Sequence, residues 1–282
     1  LGGPTLEISP DDDPRLLLAE WMSGESNPFF AKVLMNRYWK HFFKIGLVEP
    51  EDDLRDTNPA TNPELLNALA DHFIESGFDL KEAIRLLTNS QTYQLSSRPN
   101  EHNAVDQQNF SRFYPKRMQA EVLLDSVDLL AGSKTDFADL PPGTRAVALP
   151  DNSYNSSAFL KVFGRPDGAS VCECERVQSS SLAQSLHLMN SAEVKGKLSV
   201  SKGRADLLSR AETSDIDGIT EIYLTAFSRR PTGEEISIAE DYLAKPRTDA
   251  NGKPLDPKVA KRQAFEDLLW AIMNTKEFLY NH

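Results

Sequence analysis

The sharpest chemical pattern in the chain is Cys172-Glu173-Cys174-Glu175-Arg176. In an extended segment Cys172 and Cys174 share one face and the two glutamates share the other. Two thiolates that close suit a soft or borderline metal such as zinc or copper(I), with His187 as a third ligand and His102 as a fourth candidate. The same pair could close into a small, strained and therefore reducible disulfide ring. A third reading is two small buried residues beside Glu–Arg salt bridges. Disulfide is favoured over metal, because a structural zinc normally takes four protein ligands. The Cys-x-x-Cys-His pattern is absent, so this chain has no haem-attachment motif.

Arginines recur around the cysteines: Arg145, Arg165 and Arg176, with Arg229-Arg230 further on. A guanidinium fork suits carboxylate, sulfate or phosphate, which makes the first three anion-binding candidates. Ion pairs with Asp167, Glu173 or Glu175 are the competing expectation and the favoured one. The acidic turn from Glu49 to Asp56 lacks the alternating spacing and central Gly of a calcium loop, so it reads as a solvated loop partly paired with Arg55. Catalytic templates fail: there is no Gly-x-Ser-x-Gly, phosphate loop, dinucleotide fingerprint or His-Glu-x-x-His. Ser179-Ser180-Ser181 reads as helix-capping material. His41 and His72, and Trp21, Trp39 and Trp270, fall in helical apolar patterns and read as packing residues.

The elements that must position these residues are helices. Asp13-Pro14, Asn27-Pro28 and Asn62-Pro63 each offer a cap acceptor and a Pro at the first helical position. Apolar stripes come next, and Gly24, Gly46 and Gly77 stand at the exits. The second stripe reads Phe30, Val33, Leu34, Tyr38, His41, Phe42 and Ile45 as inward; the third reads Leu65, Leu66, Leu69, Phe73 and Ile74. Asp79 with Glu82 opens a fourth helix. A fifth fits Pro115 to Ala131, with Met118, Val122, Leu123, Val127 and Leu130 inward. The prolines and glycines from 132 to 178 allow only a short strand at Arg145–Leu149 and a short helix at Ser157–Phe163. Helical pattern resumes at Ser181–Asn190. Three more helices complete the chain: one through Ile219, Ile222, Tyr223, Ala226 and Phe227; one opened by Thr232-Gly233-Glu234-Glu235; and one from Pro257 to Tyr280.

The expected fold is mostly α: a multi-helix, bundle-like unit with an irregular central segment and at most a few short strands. Its parts are 1–131, 132–178 and 179–282, packed as one compact unit. Phe30, Leu34, Trp39, Phe73, Leu87, Leu123, Tyr223, Phe227, Leu268 and Ile272 are the expected core. The 282 residues are 40% apolar and 26% charged, enough for a real core and unlike a disordered chain. With 42 acidic against 31 basic side chains the net charge is −11. Residues 1–98 hold 16 acidic and 9 basic side chains, a net −7. Such a balance excludes a primary nucleic-acid binder, whose footprint is a basic stripe. No apolar run is long enough for a membrane span. The chain begins Leu1-Gly2-Gly3-Pro4, without a signal peptide, and reads as a mature or excised piece.

Several ordered blocks resemble a known family. Asn27 to Phe43 followed by Gly46-Leu47-Val48, then Asn62-Pro63-Glu64-Leu65-Leu66, Thr92 to Ser97 and Glu277-Phe278-Leu279-Tyr280, are similar to the domain-of-unknown-function family 1553. Cys172–Arg176 and Ser181–Asn190 resemble one branch of it; other branches carry an Arg-Thr-Thr-type sequence in place of the cysteines. The resemblance implies context more than chemistry. Such domains typically form the C-terminal part of large exported proteins of planctomycete-type bacteria, often with a c-type cytochrome module, encoded near sulfatases and polysaccharide-degrading enzymes. It therefore implies an extracytoplasmic location, periplasmic or at the cell surface. It also implies an accessory or interaction module that engages upstream domains of the same polypeptide or an anionic glycan. The alternative is an enzyme domain, for cytochrome-coupled redox chemistry or polysaccharide hydrolysis, with a site near Cys172–Arg176. No catalytic residue carries over from the family.

Overall fold

A computed structural model describes residues 13–24, 27, 29–150, 157–166 and 181–281. Among the described residues there are 13 α-helices, one 3-10 turn (Ala146–Ala148) and a single small sheet that pairs β1 (Lys116–Arg117) with β2 (Tyr280–Asn281). The mostly-α expectation holds. The chain divides into two compact units: unit 1, Leu1–Lys116 with His282, and unit 2, Arg117–Asn281.

Unit 1 contains α1 (Pro14–Ser23), α2 (Phe30–Phe43), α3 (Pro63–Glu75) and α4 (Leu80–Asn89). The caps work as their chemistry requires. Asp13 accepts from Arg15 N, Asn62 from Leu65 N at 3.0 Å, and Asp79 from Lys81 N and Glu82 N. Asn27 acts two residues ahead of the N-cap Phe29: its Oδ1 accepts from Phe29 N and Phe30 N, and the helix begins at Phe30. Replacing Asn62 by Ala removes the side-chain acceptor at the start of α3. Thermal unfolding should show a loss of about 1 kcal/mol, and an unchanged midpoint would mean that water replaces the cap at no cost.

The buried face of α2 is rotated from the expected one. Ala31, Met35, Trp39 and Phe43, each four residues apart, line the core with Leu66, Leu69, Phe73, Ala83 and Leu87 from α3 and α4. Phe30 and His41 are exposed, and Leu34, Tyr38 and Phe42 are half-buried. The cause is Asn36, a polar residue with 0% exposure. Its Oδ1 accepts from Leu47 N (2.8 Å) and Val48 N (3.0 Å), and its Nδ2 donates to Val48 O (2.9 Å) and Glu51 O (2.8 Å). The carboxamide thus folds the 46–51 loop onto the helix and brings Leu47 and Val48 into the core, 1% and 3% exposed. Gly46 is not the helix exit, because Lys44 takes the positive-φ position. A Cβ at Gly46 would lie 2.4 Å from Val48 O, so the loop can close only over a glycine.

Unit 2 is built on α5 (Ala120–Ala131), whose apolar face Leu123, Leu124, Val127 and Leu130 is at most 1% exposed. Val122, expected inside, is exposed. α5 belongs with the C-terminal helices because this face packs with α10 (Asp215–Phe227) and α12 (Pro257–Met273) through Ile219, Ile222, Phe265, Leu269 and Ile272. Between them lie α6 (Ala158–Val162), α7 (Leu182–Asn190), α8 (Ala192–Leu198) and α9 (Arg204–Arg210); α11 (Gly233–Leu243) precedes α12 and α13 (Lys276–Leu279) comes after it. A Cβ at Gly218 would meet the Phe265 ring at 3.3 Å, which shows how closely α10 approaches α12. The strand expected at Arg145–Leu149 is instead the 3-10 turn, because Asp125 Oδ1 and Oδ2 accept from Ala146 N (2.7 Å) and Val147 N (3.3 Å). α8 and α9 are absent from the sequence reading, and the last helix stops at Met273 instead of running to Tyr280. Asn274 and Thr275 end it, and the Thr275 hydroxyl caps α13. Tyr223 and Ile272 are buried as expected, whereas Phe227 and Leu268 are half-buried.

Candidate functional site in unit 2

Cys172, Cys174 and Arg176 lie outside the described residues. The residues on either side of that segment converge on one polar cluster. Gln184, 5% exposed, is its hub. Its Oε1 accepts from Ser181 N (3.1 Å) in a capping box and also from Arg117 Nη1, and its Nε2 donates to the Val162 carbonyl at 3.2 Å. Arg117 also donates to the Phe163 carbonyl at 3.0 Å and lies over the Phe163 ring. Burial pulls the Arg117 guanidinium below its usual pKa. Arg165, with its side chain 4% exposed, holds Glu121 of α5 at 3.4 Å. Residues 167–180, between Pro166 and Ser181, lie outside the described residues.

His187 of α7 lies edge-on to the Phe159 and Phe163 rings of α6 and its exit turn, with centroids 5.7 and 6.3 Å away. Its Nε2 is buried and 3.9 Å from Glu193 Oε2. Glu193 Oε1 accepts from the Ser157 hydroxyl at 2.9 Å. His102 belongs to unit 1, where it is exposed beside Glu101. Among the described residues no three His, Cys, Asp or Glu side chains are grouped as metal ligands.

The arginines are engaged by carboxylates. Arg145, mostly exposed, pairs with Asp125 at 3.3 Å. One turn along α5, Asp128 holds Lys197 at 2.6 Å. Glu121, Asp125 and Asp128 thus form a carboxylate row at helical spacing, each position holding a cation from a later segment. The sequence reading missed this row, although the four- and three-residue spacing beside an apolar face was there to be seen. It missed Gln184 as well, although Ser181 three residues ahead of a Gln is a capping-box signature. Arg229 is clamped by Glu235 (2.8 and 2.9 Å) and Glu277 (2.6 and 2.8 Å) and lies over both the Tyr223 and Phe227 rings, which pack edge-on against each other. The hydrogen bonds from Arg229 and Thr232 lower the Glu235 carboxyl to about 2. In unit 1 the acidic turn is consumed likewise: Asp52 by Arg37, Glu49 and Glu51 by Lys40, Asp53 by Arg55.

α7 has a second face. Leu182, Leu186 and Met189, at i, i+4 and i+7, are 75%, 48% and 48% exposed. The helix turns Gln184 and Leu188 inward and an apolar stripe outward, the reverse of ordinary amphipathic economy.

Residues 14–243 match the model of a family described as a protein of unknown function, DUF1553. The chain belongs to this family, whose members share a domain of undefined activity. No curated protein and no solved structure matches it. No helix among the described residues is long and apolar enough to cross a membrane.

Proposed function

We propose that this chain is an accessory interaction module of an exported, extracytoplasmic multidomain protein linked to polysaccharide use. Its partner is the set of upstream domains of the same polypeptide. The observation that supports the reading is the outward apolar stripe of α7, since contiguous exposed apolar surface marks interaction sites. The choice of occupant, the exported location and the cytochrome and polysaccharide context rest on the family resemblance. An anionic glycan is the second partner of this reading, with the exposed Arg145 as its described contact residue. Hydrogen exchange tests the reading. In the full-length polypeptide the α7 amides should exchange more slowly than in this chain alone. Leu186→Glu should abolish that difference while shifting stability by no more than about 0.5 kcal/mol, as for other surface changes. Equal α7 exchange in both proteins would refute the docking role.

A second reading, an enzyme domain centred near Cys172–Arg176, draws support from the buried polar groups that flank that segment: Gln184, bonded to Arg117, the Val162 carbonyl and Ser181 N, and the Arg165–Glu121 pair. Its redox version needs Cys172 and Cys174 joined as a disulfide or bound to metal; its hydrolytic version does not. For the disulfide, intact-mass measurement after alkylation of oxidised, metal-free protein should show no modified thiol, and two after reduction. Two thiols alkylated without reductant would remove the disulfide, and no metal retained on purification would remove the metal pair.

A further inference from the structure

We draw no further inference here: the strongest candidate, the side-chain cluster of Ser157, Glu193 and His187 where α6, α7 and α8 meet, belongs to the site already described, and residues 167–180, which join α6 to α7, lie outside the described residues.

Discussion

Asp128→Ala should destabilise unit 2 by about 3–5 kcal/mol, the usual cost of leaving one buried charge without its partner. Lys197 is the charge left behind. Its side chain is 9% exposed, and its ammonium reaches Asp128 Oδ1 (2.6 Å) and the Thr135 hydroxyl (2.5 Å). Asp128 also accepts from the Ser133 and Thr135 hydroxyls at 2.5 and 2.6 Å, so its removal disconnects α5 from the 133–135 turn as well as from α8. Native-state hydrogen exchange at the α5 amides of Leu123 and Val127 would read the loss directly. The double change Asp128→Leu with Lys197→Met should cost less than Asp128→Ala alone, because no charge is then stranded. If the double variant loses as much as the single one, the cost lies in packing and the charge argument fails.

In unit 1 the largest expected effect is at Asn36. Asn36→Ala strands two buried N–H groups, Leu47 and Val48, and the carbonyls of Val48 and Glu51. At roughly 1–3 kcal/mol for each buried group left unsatisfied, with partial rescue by water at the Glu51 end, the total should be about 3 kcal/mol or more. Asn36→Asp keeps the acceptor side but sets a carboxyl oxygen against the Val48 and Glu51 carbonyls in a buried site, so it should not rescue the alanine loss. Amide exchange at Leu47 and Val48 should rise far more than at Phe73 in the α3 core. A uniform rise across unit 1 would show that Asn36 contributes to global stability without organising the loop.

The sequence discloses most of what is local and little of what is reciprocal. Asn62, Asp79, Ser181 and Thr232 could be read as caps because a cap involves only the next three residues. The face of α2 could not, because a buried Asn is sensible only with the 46–51 loop folded over it; hydropathy alone turned Phe30 and His41 inward. α8 and α9 have seven residues each, less than two turns, too short for periodicity to register. The cation partners of α5 come from distant segments, Lys197 from 69 residues beyond Asp128, so their pairing is a property of the fold. Arg145 pairs with Asp125 and Arg165 with Glu121; the acids named from the sequence as their partners, Asp167, Glu173 and Glu175, lie outside the described residues.

The placements of Gln184 and Gly46 also bear on how this protein tolerates change. One carboxamide ties the backbone at Val162 and at Ser181, so a single side chain sets the separation of these two points. A substitution at Gln184 therefore releases the Val162 and Ser181 anchors together. Length variation should be scarce in the tightly folded 46–51 loop, where the fit of Gly46 against the Val48 carbonyl leaves no room for an added residue.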